Sequence, residues 1–172
     1  MKIPKEVKSV IDKLKKAGFQ AYLVGGCVRD FLREVEPEDW DVATNANPEE
    51  IKKIFPKSFY KNKFGTVTVG DIEITPFRIE EKYTDKRHPD EVKWAKTIEE
   101  DLARRDFTVN AMAMDVEVID PFNGQKDLEN KIIRAVGNPE DRFNEDALRM
   151  LRAVRFATVL GWEIDSETVK AI

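Results

Sequence analysis

The sequence predicts an α+β fold: a mixed α/β unit up to about residue 137, followed by a helical unit that looks unfinished. Three observations lead there. Helical and strand-like spacings of apolar residues interleave as far as Gly137, as a mixed sheet flanked by helices requires. Residues 58–79 alternate like a hairpin. Beyond Gly137 the spacing is helical.

The elements follow in order. Residues 4–17 place Val7, Val10, Ile11 and Leu14 on one helical face, with Pro4 near the first turn and Gly18 at the expected stop. "FQAYLVGG" reads as a strand ending in a turn, "CVRDFLREV" as a helix starting at the glycine pair, and "DWDVAT" as a second strand. Asn47 before Pro48 signals a cap for the helix "PEEIKKIF". Hairpin arms are expected near 58–69 and 71–79, joined at Gly70-Asp71. Residues 82–95 are polar and without period, and read as a loop. Thr97 and Glu100 form a capping box for a helix through "TIEEDLARRDF". "AMAMDVEVIDPF" reads as one strand closed by the turn "PFNG", and "GQKDLENKII" as a short helix. Residues 138–161 read as helical, with Asn144 as cap and Gly161 as stop; Asp165 starts another helix.

The totals bound the function. The chain has 172 residues, 41% hydrophobic and 36% charged, with net charge −4. That suits one domain, or one domain and the start of another, with a strongly solvated surface. An acidic chain is not a generally basic nucleic-acid binder, so local patches must decide that question. The single cysteine excludes internal disulfides. There is no signal-peptide pattern and no apolar run near the roughly 18 residues that span a bilayer. A reducing cytoplasm and no membrane are expected.

Asp39 and Asp41 flank Trp40 in a strand, so both carboxylates share a face. Taken alone, the pair suits a solvated strand edge. It also suits a divalent metal, because hard oxygen ligands match Mg²⁺ shared with phosphates. Gly25 and Gly26 supply the complement: a turn that lets backbone N–H groups approach a phosphate, at the start of a helix. Arg29 adds a cation that contacts phosphate or pairs with Asp30. Arg105 and Asp106 suit a triphosphate and a sugar hydroxyl, and Asn110 a sugar contact or a backbone cap. In "EDALRMLRAVRF", Asp146, Arg149, Arg152 and Arg155 step by three, beside an apolar stripe of Leu148, Leu151 and Val154. An acceptor-only Asp beside a donor-only Arg can read a base edge, or merely lace the helix surface. Cys27, Trp40 and Phe107 are assigned to packing, and His88 to a solvated loop.

The blocks "LVGGCVRDFL…DWDVAT", "FGTVTVGDIEITPFR", "EEDLARRDFTVNAMA", "DPFNGQKDLENKIIRAVGNPEDRF" and "NEDALRMLRAVRFA" resemble the class II tRNA nucleotidyltransferases and the related bacterial poly(A) polymerases. The resemblance runs from about residue 20 to the last residue. It implies a polymerase-β-like nucleotidyltransferase head at 1–137, a mixed sheet flanked by helices, and the beginning of an all-helical neck at 138–172. It implies template-independent addition of CMP and/or AMP from CTP and ATP to a tRNA 3′ end, with release of pyrophosphate. The alternatives are poly(A) addition, or a nucleotide-binding RNA-associated module without turnover. Asp39 and Asp41 would bind Mg²⁺, two ions in all, with Glu73 as a third carboxylate. Gly25, Gly26 and Arg29 would meet the triphosphate. Arg105, Asp106 and Asn110 would hold phosphate and ribose. Asp146 and Arg149 would read the base, supported by Arg152 and Arg155. Residues 80–93 match a family loop that orients the nucleotide, with Arg87 as its actor. Family members continue into helical regions that grip tRNA, so this chain is expected to be a fragment or a separately made head. No protein partner is evident.

Overall fold

The computed structural model describes residues 2–60, 65–81, 83, 84, 87 and 91–172. The chain runs α1 (Lys5–Lys16), β1 (Ala21–Val24), α2 (Gly26–Leu32), β2 (Trp40–Thr44), α3 (Pro48–Ile54), β3 (Phe59–Tyr60), β4 (Val67–Val69), β5 (Ile72–Pro76), β6 (Arg78–Glu81) and β7 (Glu91–Trp94). It continues with α4 (Ile98–Ala103), a 3₁₀ turn (Thr108–Asn110), β8 (Ala113–Met114), β9 (Val118–Ile119), α5 (Gly124–Asn130), β10 (Ile132–Ile133), α6 (Pro139–Glu145), α7 (Leu148–Leu160), β11 (Glu163–Ile164) and α8 (Ser166–Ala171).

Seven strands form one mixed sheet, ordered β3-β4-β5-β2-β1-β8-β9. Among the described residues of this sheet, β2 and β5 pair in parallel and the other ladders are antiparallel. The amphipathic face of α1 supplies Val7, Val10, Ile11 and Leu14 to the main core, where they meet Leu23, Val42, Ile51, Val67 and Ile74. A second cluster covers the other face around Val24, Ala43, Phe77, Ile98 and Leu102. The expected mixed sheet flanked by helices is therefore present. Asn47 and Thr97 each close a reciprocal capping box. Asp165 caps α8, and Gly161 ends α7 at φ 68°.

The structure corrects several boundaries. Residues 91–94, read as loop, form β7 and pair antiparallel with β6. That two-stranded ribbon stands apart from the main sheet, and β7 is mostly exposed, so it shows no apolar alternation. His88 and much of the 80–93 loop lie outside the described residues. The stretch read as one strand before "PFNG" is a hairpin, β8–β9. The helix expected through Phe107 ends at Ala103. The helix expected from 124 to 133 ends at Asn130, and Ile132–Ile133 form β10. Residues 138–161 are two helices, because Asp146 is extended at φ −141°. Asn138, not Asn144, caps the first: its side chain accepts from the N–H groups of Glu140 and Asp141. The apolar stripe of Leu148, Leu151 and Val154 is exposed.

Gly137 does not separate two independent cores. β10 pairs in parallel with β11, and Phe107, Val109 and Ile133 pack with Phe143, Ala153 and Trp162.

Candidate active site

β1 ends in Gly25, whose φ of 75° is readily adopted by glycine alone. A Cβ at Gly25 would stand 2.8 Å from Arg105 Nη1, so this turn also gives that guanidinium its room. Its N–H donates to Met112 O at 3.2 Å, tying the turn to the segment before β8. Beneath it Cys27 is buried; its Sγ donates to Val24 O and to the main-chain oxygen of Asp41. Burial pushes the Cys27 thiol up to about 11.

A cavity of about 730 Å³ opens above this turn. It is bordered by Gly25, Gly26, Arg29, Asp39, Asp41, Arg105, Asp106, Asn110, Asp146, Arg149, Arg152 and Arg155. Of the site residues expected from the sequence, all border it except Glu73 and Arg87. Asp39 sits at the bend before β2 and Asp41 is the second residue of that strand. Glu73 lies opposite Asp41 in the parallel β2–β5 register, and such partners share a face. Among the described residues no three His, Cys, Asp or Glu side chains form a closed metal cage. Two carboxylates at a roomy cavity instead suit Mg²⁺, which keeps waters and shares phosphate oxygens.

Behind the cavity, polar contacts link four segments. Arg29 donates to both oxygens of Asp30, at 3.0 and 2.7 Å, and through Nη1 to Asn110 Oδ1 at 2.8 Å. Asn110 Nδ2 donates to Asp106 Oδ1 at 3.3 Å. Asp106 Oδ2 accepts from Arg152 Nε at 2.7 Å. This chain runs from α2 through the 3₁₀ turn to α7. On its flank Arg105 donates to Asp101 Oδ2 at 3.2 Å and to the main-chain oxygen of Asn110 at 3.4 Å.

Asp101 is fully buried. Burial alone would raise its pKa, but Arg104 and Arg105 outweigh that and hold the carboxyl below the usual range. Glu80 on β6 is likewise held low against burial by Arg104 and Arg78. Arg104 therefore ties α4 to β6 and borders the cavity.

The stripe on α7 faces the cavity as expected, but Asp146 and Arg149 are not an ion pair. Asp146 Oδ1 accepts from Leu148 N–H at 3.0 Å, capping the break before α7. Arg149 is buried and donates to Glu145 Oε2 at 2.8 Å and to Arg104 O at 3.1 Å. Sequence reasoning missed Phe156. Its ring lies 5.2–5.5 Å from the guanidinium carbons of Arg29, Arg152 and Arg155, and Phe107 meets it edge-on. The ring attracts all three cations, two of which, Arg29 and Arg152, also pair with Asp30 and Asp106. The available signal was a lone aromatic directly after an arginine stripe.

Comparison with known proteins agrees with this geometry. Residues 21–134 match the family model described as the poly A polymerase head domain. The CCA-adding enzyme of Ligilactobacillus salivarius (strain UCC118) is 52% identical over 180 aligned positions, covering 99% of this chain and 45% of that protein. The crystal structure of the Bacillus stearothermophilus CCA-adding enzyme in complex with CTP superposes with a TM-score of 0.90 at 44% identity, covering 100% of this chain and 43% of that one. A tRNA nucleotidyltransferase complexed with a primer tRNA and an incoming ATP analog gives 0.75 at 34% identity, over 94% of this chain and 48% of that one. The chain thus spans a little under half the length of these relatives. From the matched model, the shared sheet and the sequence identity, the chain belongs to the poly A polymerase head domain family.

Proposed function

We propose that this chain is the catalytic part of a template-independent tRNA nucleotidyltransferase, adding CMP and AMP from CTP and ATP to a tRNA 3′ end with release of pyrophosphate. One observation carries the reading: Asp39 and Asp41 border the same cavity as Arg29, Arg105, Arg149, Arg152 and Arg155. Carboxylates for metal and guanidinium groups for phosphate are the two halves of a nucleotidyl-transfer site. The relatives named as CCA-adding support the substrate assignment.

Asp39 and Asp41, with Glu73 beside Asp41, would hold Mg²⁺, which when bound neutralises phosphate charge and makes a hydroxyl a better nucleophile. Arg29 and Arg105, next to the Gly25–Gly26 turn, receive the triphosphate. Asp106 and Asn110 offer hydrogen bonds to the ribose. Asp106 must then share its Oδ2 between Arg152 and the sugar. Asp146 and Arg149 present an acceptor and a donor group to the base, and Arg152 and Arg155 reach phosphate. Positioning and electrostatics do most of the work. Residue 137 remains the proposed boundary between head and neck.

The test is Mg²⁺-dependent extension of tRNA transcripts ending before CCA, after the first C and after the second C. Stepwise addition of C, C and A is expected, with none from Asp41→Ala. Incorporation retained by that variant removes the metal assignment. Poly(A) addition is the second reading, favoured by the description of the family model; unlimited A addition would mark it.

A further inference from the structure

A pocket of about 370 Å³ opens at the edge of the main core. Its apolar wall is made by Ile54, Phe55 and Pro56 at the end of α3 and by Val69 of β4. Val67, two residues before Val69, is fully buried in the main core, so both side chains point to that layer. Val42 lies in the same core, which turns its neighbour Asp41 to the opposite face of the sheet. The pocket and the carboxylates are thus on opposite faces, and the two cavities share no residue. A few hundred cubic ångströms with mostly apolar walls is the usual form of a small-molecule site, and this volume is near the lower end of that range. It suits a compact ligand rather than a polymer.

The polar side chains of the lining are Lys13, from α1, Lys57 and Ser58. Lys13 Nζ stands 5.7 Å from the centroid of the Phe55 ring. Among the described residues no aspartate or glutamate borders the pocket, and neither lysine has a carboxylate partner. Residues 51–70 hold five lysines and no aspartate or glutamate, in a chain of net charge −4. Two ammonium groups without counter-charge beside an apolar wall favour an anion. Ser58 gives a second, independent observation. It is 5% exposed, and its Oγ has no hydrogen-bond partner among the described residues. A buried hydroxyl left unpaired is costly, and a ligand oxygen that meets it removes that cost.

We infer that this pocket is a ligand site separate from the carboxylate cavity, and that it takes a small aromatic carboxylate. The flat apolar body lies against Phe55, Pro56 and Val69. The carboxylate meets Lys13, Lys57 and the Ser58 hydroxyl. The inference does not depend on the nucleotidyl-transfer reading, because its residues lie outside that cavity.

The test titrates 2-naphthoate into the isotope-labelled chain and follows amide shifts by NMR, with and without CTP and Mg²⁺. Shifts at residues 54–58 and 69–70 are expected, with a Kd on the order of 1 mM for a ligand of this size, the same in both conditions. The uncharged 2-naphthylmethanol is expected to bind about tenfold more weakly, the scale of one lost charge-assisted contact. Lys13 and Lys57 are exposed, so the double variant Lys13→Gln, Lys57→Gln should fold. It is expected to bind 2-naphthoate no better than the alcohol. Ser58→Ala should weaken 2-naphthoate about fivefold, the scale of one hydrogen bond. Equal affinity for the two probes overturns the inference, as does equal affinity of the parent and the double-lysine variant for 2-naphthoate. So does the lack of any shift at these residues. Shifts confined to α2, α4 and α7 that CTP abolishes also overturn it, because the probe then binds only the arginines. So does self-association that moves the same amides without the probe, because the pocket then receives a second copy.

Discussion

At Gly25 a single hydrogen atom in place of a side chain serves the backbone and the cavity together. Gly25→Ala would place a non-glycine residue at positive φ, costing about 1–3 kcal/mol, and would press its Cβ against Arg105. The expected outcome is a lower denaturation midpoint and a KM for both CTP and ATP raised about tenfold, the equivalent of about 1.4 kcal/mol; KM for RNA should not move. Asp101 makes a different kind of demand. It is fully buried, and its carboxylate receives Arg104, Arg105 and the main-chain N–H of Arg78. Asp101→Asn leaves those guanidinium groups short of charge, and breaking such a buried pair costs about 3 kcal/mol. Chemical denaturation reads that loss directly. Arg105 was legible in the sequence because a donor followed directly by an acceptor, Asp106, suits a phosphate beside a sugar hydroxyl. Asp101 was not, because one of its partners sits on β6, which periodicity cannot bring near.

The elements were legible where one face of each is buried. The stripe of α1 and the two capping boxes could be read directly, since burial and capping leave residue patterns at fixed spacing. β7 could not, because three of its four residues are exposed and leave no apolar alternation. The break between α6 and α7 was hidden by good helix formers on both sides of Asp146, whose side chain turned out to cap the backbone. Two substitutions test these local devices. Asn47→Ala removes the cap of α3 and should lower stability by about 1 kcal/mol, with nucleotide affinity unchanged. Gly124→Ala reverses the usual rule. Alanine is a better helix former than glycine, yet at Gly124, the first residue of α5, a Cβ would collide with the main-chain oxygen of Thr108. Thr108 begins the turn that carries Asn110. Gly124→Ala should therefore destabilise the protein and weaken ATP and CTP binding, although residue 124 does not border the cavity.

For the molecule as a whole, pH acts from both sides. The Asp101 and Glu80 carboxyls are held below their ordinary values. Their contribution is present above the unfolded range near pH 4 and is lost as pH falls through the lower folded values. The Cys27 thiol is raised from 9.0 to about 11, so its contribution is complete below pH 9 and is lost as pH climbs through about 11. Urea unfolding against pH should show a plateau between these limits. Asp101→Asn should flatten the acid side and Cys27→Ala the alkaline side. Among the described residues no helix is long and apolar enough to cross a membrane.

The β10–β11 ladder bears on how such proteins exchange parts. The arginines of α7 cannot travel as a cassette cut at Gly137, since that cut separates Ile132 and Ile133 from their partners Glu163 and Ile164. A chimaera joined there would inherit half a ladder from each parent. The cores around Phe107 and Trp162 would then have to match by chance. A join placed before Ile132 keeps both strands from one parent. Grafts of α7 between relatives should therefore fold when β10 moves together with it.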